Sequence, residues 1–180
     1  MDPLKIIEKY YKPDTAGYSI LVDHSRLVMN RCLEIAGRIG DLHPDISFLK
    51  EAAMLHDIGI FMTSAPHIGC HGSLPYICHG FLGRELLEAE GLPGHALVCE
   101  RHVGVGLTLN DIKGHELPLP HREMLPITLE EKIICYADKF FSKKTDGDCA
   151  EKSFEEVRQS IERYGLEQVR RFDELAGLFQ

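Results

Sequence analysis

Apolar residues recur at three- and four-residue intervals through most of the chain, and no stretch alternates apolar and polar positions long enough to form a half-buried strand. The spacing predicts helices over about residues 3–11, 19–40, 45–57, 79–90, 94–103, 128–142, 151–163 and 165–178, and with them an all-α fold, a compact helical bundle. Several ends carry chemical signals. Thr128 followed by Glu131 is a capping-box pattern, Asp45 and Ser153 fit helix starts, and Gly40, Gly59 and Gly91 fit helix stops. Two long connections, residues 59–78 and 104–127, are rich in Gly, Pro and His, and segments of that length in a compact domain often wall a substrate site. No repeat or linker divides the chain, so residues 1–180 are expected to form one domain with its core over about 19–144. The C-terminal helices, 151–178, place Phe154, Val157, Ile161, Leu166, Val169, Phe172, Leu175 and Leu178 at helical spacing; they are expected to close the core, a homodimer interface being the other use of such a face.

Within this pattern the segment LKEAAMLHDIG, residues 49–59, stands out. Leu49, Ala52, Ala53, Met54 and Leu55 make the helix apolar around most of its circumference, so His56 and Asp57 end a buried element. An ionised Asp there costs several kcal/mol unless it is paired, hydrogen-bonded or bound to a cation. Adjacent helical residues point about 100° apart, so both side chains reach one centre most easily at a helix end. His24 lies in an equally apolar helix, among Ile20, Leu21, Leu27, Val28 and Cys32, and Asp138 lies near the end of EKIICYADKF. A buried His, a His-Asp pair and a distant Asp form a nitrogen and oxygen ligand set suited to Mn, Fe, Co, Ni or Zn more than to Ca.

Charge and cysteine content narrow the partners. A formal net charge of −8 disfavours a binder of nucleic-acid polymers, whose affinity comes from clustered Lys and Arg, and favours a small-molecule substrate. The six cysteines, at 32, 70, 78, 99, 135 and 149, form no C-x-x-C pair and read as packed thiols of a reducing compartment. The apolar runs fall short of the roughly 18 residues that a membrane span needs. The charged N-terminal stretch does not resemble a secretory signal, so a cytoplasmic location is expected.

The order His24, His56-Asp57, Asp138 resembles the H…HD…D signature of the HD-domain phosphohydrolases, and His-Asp-Ile-Gly resembles their HDIG subgroup. The resemblance runs from about residue 19 to 144. HGFLGRELL, from His79, and ERHVGVGL, containing His102, are similar to the two inserted histidines of the dinuclear subgroup, which includes HD-GYP cyclic-dinucleotide phosphodiesterases and HD-type diadenosine-tetraphosphate hydrolases. The GYP motif is absent, which argues against cyclic-di-GMP as substrate. By this resemblance His24, His56, Asp57 and Asp138 hold one divalent transition-metal ion, and Asp57 bridges to a second held by His79 and His102. The implied reaction is hydrolysis of a phosphomonoester or phosphodiester bond of a nucleotide or related small metabolite by metal-activated water. Two other outcomes are open: a metal-retaining nucleotide sensor without turnover, and a mononuclear nucleotidase in which His79 and His102 touch substrate.

Asp57, His56 and Lys139 are the candidate catalytic residues. Lys139, beside the last ligand, is the first candidate for phosphate contact, while Lys143 and Lys144 read as a solvated helix end. Arg101, Arg122 and His121 are further phosphate candidates. His67 and His71 read as exposed loop residues or as a general acid for the leaving group, and His71 is retained as a candidate substrate contact. His43, His95 and His115 have no supporting context and read as surface.

Overall fold

The computed structural model describes residues 1–143 and 151–179, and its architecture is all-α with one minimal β-pair. Lys144 and Cys149, both read above, lie outside the described residues. The helices are α1 (Pro3–Ile7), α2 (Ala16–Arg38), α3 (Ile46–Leu55), α4 (His79–Ala89), α5 (Pro93–Arg101), α6 (Leu109–Gly114), α7 (Leu129–Asp138), α8 (Phe154–Glu162) and α9 (Leu166–Phe179). Among the described residues no helix is long and apolar enough to cross a membrane.

The capping residues work largely as their chemistry demands. Asp45 accepts from the Phe48 N–H, and Ser153 with Glu156 forms a reciprocal capping box. Thr128 accepts from the Glu131 N–H, but the Glu131 carboxylate reaches one residue further back, to the Ile127 N–H, so only half of the expected box forms. Gly91, at φ +76°, follows the α4 cap in the left-handed conformation that favours glycine, and the Leu92 N–H returns to the Leu87 carbonyl. Gly59 is not a helix stop. Helix α3 ends at Leu55, and Gly59 lies inside a 3-10 turn, Ile58–Met62, where a Cβ would stand 2.2 Å from the His79 carbonyl and 2.6 Å from the Gly83 nitrogen.

Two apolar clusters meet around the long central helix α2. One joins α2, α3 and α7 to the C-terminal helices through Val28, Ile35, Leu49, Ile133, Tyr136 and Phe172. The other joins α1, α2, the end of α3 and the following loop through Ile7, Leu21, Leu55, Ile58, Ile60 and Leu87. Helices α8 and α9 do close the core, burying Val157, Ile161, Val169, Phe172, Leu175 and Phe179. Leu166 and Leu178, expected on that inner face, are 87% and 48% exposed because the buried stripe of α9 runs through Phe172, Ala176 and Phe179 instead.

The two long connections are more ordered than their composition implies. Residues 64–71 fold into a two-residue antiparallel pair, β1 (Ser64–Ala65) on β2 (Cys70–His71), with Gly69 at φ +73° in the turn between. Buried Ala65, Ile68 and Cys70 fasten this hairpin to the core. The second connection contains α6, opened by a full capping box between Thr108 and Asp111. Asp111 also receives Arg171 at 2.7 Å and Gln168 at 3.0 Å, tying the loop to α9. The cysteines at 32, 70, 78, 99 and 135 are buried free thiols.

Candidate metal centre

Three core helices and one helix pair deliver the polar residues to a single point. His24 sits midway along α2, Asp138 closes α7, and His56 caps α3. At Asp57 the backbone leaves the α-helix, at φ −106° and ψ 10°, which turns its carboxylate toward the others. The Tyr11 hydroxyl secures the turn that follows, donating to the Ile58 carbonyl at 2.7 Å and accepting from the Phe61 N–H at 3.2 Å. His79 opens α4 and His102 caps α5. These two helices approach closely because Gly80 and Gly83 face Cys99 and Val103: a Cβ on Gly80 would meet Val103 Cγ2 at 2.5 Å and the Cys99 carbonyl at 2.7 Å.

The result is two ligand groups that share one carboxylate. In the first, His24 Nε2 lies 3.0 Å from Asp138 Oδ1 and 3.2 Å from Asp57 Oδ2, and His56 Nε2 lies 3.4 and 3.1 Å from the same two oxygens. In the second, His79 Nε2 and His102 Nε2 lie 3.3 and 3.5 Å from Asp57 Oδ1 and 3.2 Å from each other. Within each group the candidate ligand atoms all fall within 4.8 Å of one another. His24, His56 and Asp57 are fully buried.

The groups behind the histidines fix which nitrogen faces the centre. His56 Nδ1–H donates to the Ala53 carbonyl at 2.7 Å, His79 Nδ1–H to Tyr76 at 2.7 Å, and His102 Nδ1–H to Cys99 at 2.8 Å. In each case the acceptor is one turn earlier, so the same backbone geometry holds three rings with Nε2 directed inward, the orientation typical of metal-bound histidine. His24 differs, since its buried Nδ1 has no hydrogen-bond partner among the described residues.

Electrostatics accentuates the pattern. Burial would push the Asp57 carboxyl up, but Lys143 and His56 reverse this and hold it well below the usual carboxylate range. Asp138 behaves alike: burial raises it, and Lys139 with His24 and His56 brings it down. Burial would lower His56, yet Asp57 and Asp138 lift it to about 9 by drawing positive charge to its Nε2. Burial pushes His79 down to about 3 and lowers His102 too, so both rings are neutral donors. Among the described residues His56 Nε2 and Asp57 Oδ1 have no hydrogen bond of acceptable geometry, and Asp57 Oδ2 is met by the Lys143 ammonium as an ion pair. Buried, imperfectly paired imidazole and carboxylate donors fit a divalent transition-metal ion, which would displace the proton that the carboxylates hold on His56.

The lysines and arginines are placed differently from what their sequence positions imply. Lys139, the first candidate for phosphate, is engaged by Asp138 Oδ2 at 2.7 Å and the His102 carbonyl at 3.1 Å. Lys143, read as solvated, is the inward one, 2.5 Å from Asp57 Oδ2 and 5.9 Å from the Tyr76 ring centroid. Arg101 is engaged by Glu131 at 2.9 and 3.0 Å, and Arg122 by the buried Glu100, which Arg84 also contacts at 2.5 Å. Those guanidiniums cross-link helices and loop. His71, His67 and His121 are exposed, as are His43 and His115. His95, read as surface, is buried against Phe48, with its Nε2 3.3 Å from Glu51.

Comparison with known sequences agrees with this geometry. The HD domain matches residues 21–142. An uncharacterized protein of Methanocaldococcus jannaschii is 36% identical over 140 residues, 75% of each chain. A tRNA (cytidine(56)-2'-O)-methyltransferase of Thermoplasma volcanium is 27% identical over 137 residues, 76% of this chain and 35% of that enzyme. Its counterpart in Picrophilus torridus is 32% identical over 111 residues, 61% of this chain and 29% of that enzyme. The chain thus spans about a third of the length of the two methyltransferases it matches. No solved structure gives a significant match. HD domains bind divalent metals and are generally hydrolases. With its ligand order and its matched span in agreement, this chain belongs to the HD-domain family.

Proposed function

We propose that the protein is a dinuclear metal-dependent phosphohydrolase that cleaves a phosphomonoester or phosphodiester bond of a nucleotide or similarly small phosphorylated metabolite. The observation that carries this reading is the division of labour on Asp57: Oδ2 faces His24 and His56, and Oδ1 faces His79 and His102. One carboxylate between two imidazole pairs would suit two cations, one on each side. Divalent ions held there would supply Lewis acidity: polarisation of a phosphoryl oxygen, a water pKa nearer neutrality and stabilisation of the leaving oxygen.

The chain's own residues supply placement and charge. His24, His56, Asp57 and Asp138 would hold one ion, and Asp57, His79 and His102 the other. Lys139 steadies Asp138 through the oxygen that does not face the histidines, and the backbone carbonyls behind His56, His79 and His102 preset their tautomers. The neutral state of His79 and His102 favours them as ligands over the alternative of cationic phosphate contacts in a mononuclear site. The methyltransferase relatives, named for a cytidine in tRNA, support ribonucleotide phosphates as the first substrates to try.

Activity on chromogenic phosphate monoesters and diesters, followed by a ribonucleotide panel, tests the proposal. Turnover that requires Mn, Co, Ni, Fe or Zn and disappears in Asp57→Ala is the expected result. A protein that binds these ions and nucleotides but turns nothing over would identify a sensor instead.

A further inference from the structure

Two partly buried lysines serve the centre in opposite ways. Lys139 takes Asp138 Oδ2, while the histidines face Asp138 Oδ1, so an ion and Lys139 can hold that carboxylate together. Lys143 takes Asp57 Oδ2, the same oxygen that His24 and His56 face at 3.2 and 3.1 Å. An ion in the first group and the Lys143 ammonium therefore claim one oxygen, where the two positive charges repel and compete for the same carboxylate. In the ion-free centre each carboxylate has its own ammonium: Lys139 meets Asp138 and Lys143 meets Asp57. A second seat for Lys143 exists nearby. Its Nζ is already 5.9 Å from the centroid of Tyr76, whose ring packs on His79 at 4.7 Å, and Lys143 follows the end of α7, where the chain has no regular structure.

We propose that Lys143 is a displaceable cation that neutralises Asp57 in the ion-free protein, leaves Oδ2 when an ion binds, and then offers its ammonium to the substrate's phosphate. The inference rests on reading the cluster as a phosphohydrolase centre. It makes ion loading and phosphate capture two uses of one side chain: the site is held together before loading, and the charge released by loading appears where an anionic group arrives.

The test is calorimetric titration of Mn²⁺ into chelator-stripped full-length protein, wild type against Lys143→Met, Lys143→Gln and Lys143→Arg, with circular dichroism to establish that each is folded. Removing the competitor should tighten ion binding by about tenfold in the Met and Gln variants, while Arg, which keeps the charge on Asp57, stays near wild type or weaker. In the ion-loaded proteins, orthophosphate should bind roughly fivefold more weakly to the Met and Gln variants than to wild type. Unchanged or weaker ion binding in both neutral variants overturns the competition, as does equal tightening in Lys143→Arg. Unchanged orthophosphate affinity overturns the hand-over to substrate. Failure of the wild type to bind any ion would instead overturn the metal reading itself, so the two failures are distinguishable.

Discussion

The two ligand groups share Asp57 and little else. The first is assembled from the core helices α2, α3 and α7, carries two carboxylates, and is fixed by the same packing that fixes the fold. The second has two imidazoles and one oxygen of the shared carboxylate, and it is assembled where glycines let the 58–62 turn, α4 and α5 approach closely. Affinity for a dication follows the negative charge in the shell, so the first group should load before the second, and the second should be the one that substitutions can remove alone.

The largest effect is expected where the groups join. Asp57→Ala removes both halves at once, so activity should fall by more than about a hundredfold and ion binding should be lost. The ion-free chain should also be less stable by roughly 3 kcal/mol, because Lys143 and His56 lose their buried counter-charge; chemical denaturation with chelator present measures this. Next comes Gly59→Ala. The added Cβ, 2.2 Å from the His79 carbonyl, forces α4 outward at a cost of about 1–3 kcal/mol. The melting temperature should drop by several degrees, and only the second ion should be lost. A loss of both ions would mean that the glycine contacts support the whole centre.

The smallest effect lies away from both groups, at His95. Burial lowers its pKa, with Glu51 opposing, so the folded protein binds this proton less readily than the unfolded chain. Stability from this residue is complete above the ordinary histidine pKa of about 6.5 and is lost as pH falls below it. Thermal melts of wild type and His95→Gln between pH 5 and 8 should show a component of the acid-side slope that vanishes in the variant while ion stoichiometry is unchanged.

Much of the first group was legible in the sequence because its ligands end or interrupt apolar helices, where an unpaired Asp has no other explanation. The all-α fold followed from the same periodicity. What stayed hidden depends on contacts between segments distant in the chain. Lys143 meets an oxygen 86 positions away from beyond a helix end, so no spacing rule relates them. His95 meets Glu51 in the same way, and the short α6 has too few turns for a periodic signal. Its Thr108-x-x-Asp111 capping pair was the available clue. Gly80 and Gly83, three apart on one face of α4, were the sign of close helix packing, and Gly59 had the appearance of a helix stop because a close approach and a left-handed turn both select glycine.

The central claim, two ions joined by Asp57, is tested most directly by elemental analysis of protein purified without chelator, comparing wild type with His79→Ala. The account predicts two transition-metal ions per chain in the wild type and one in the variant. One ion in both proteins, or none in either, would contradict it.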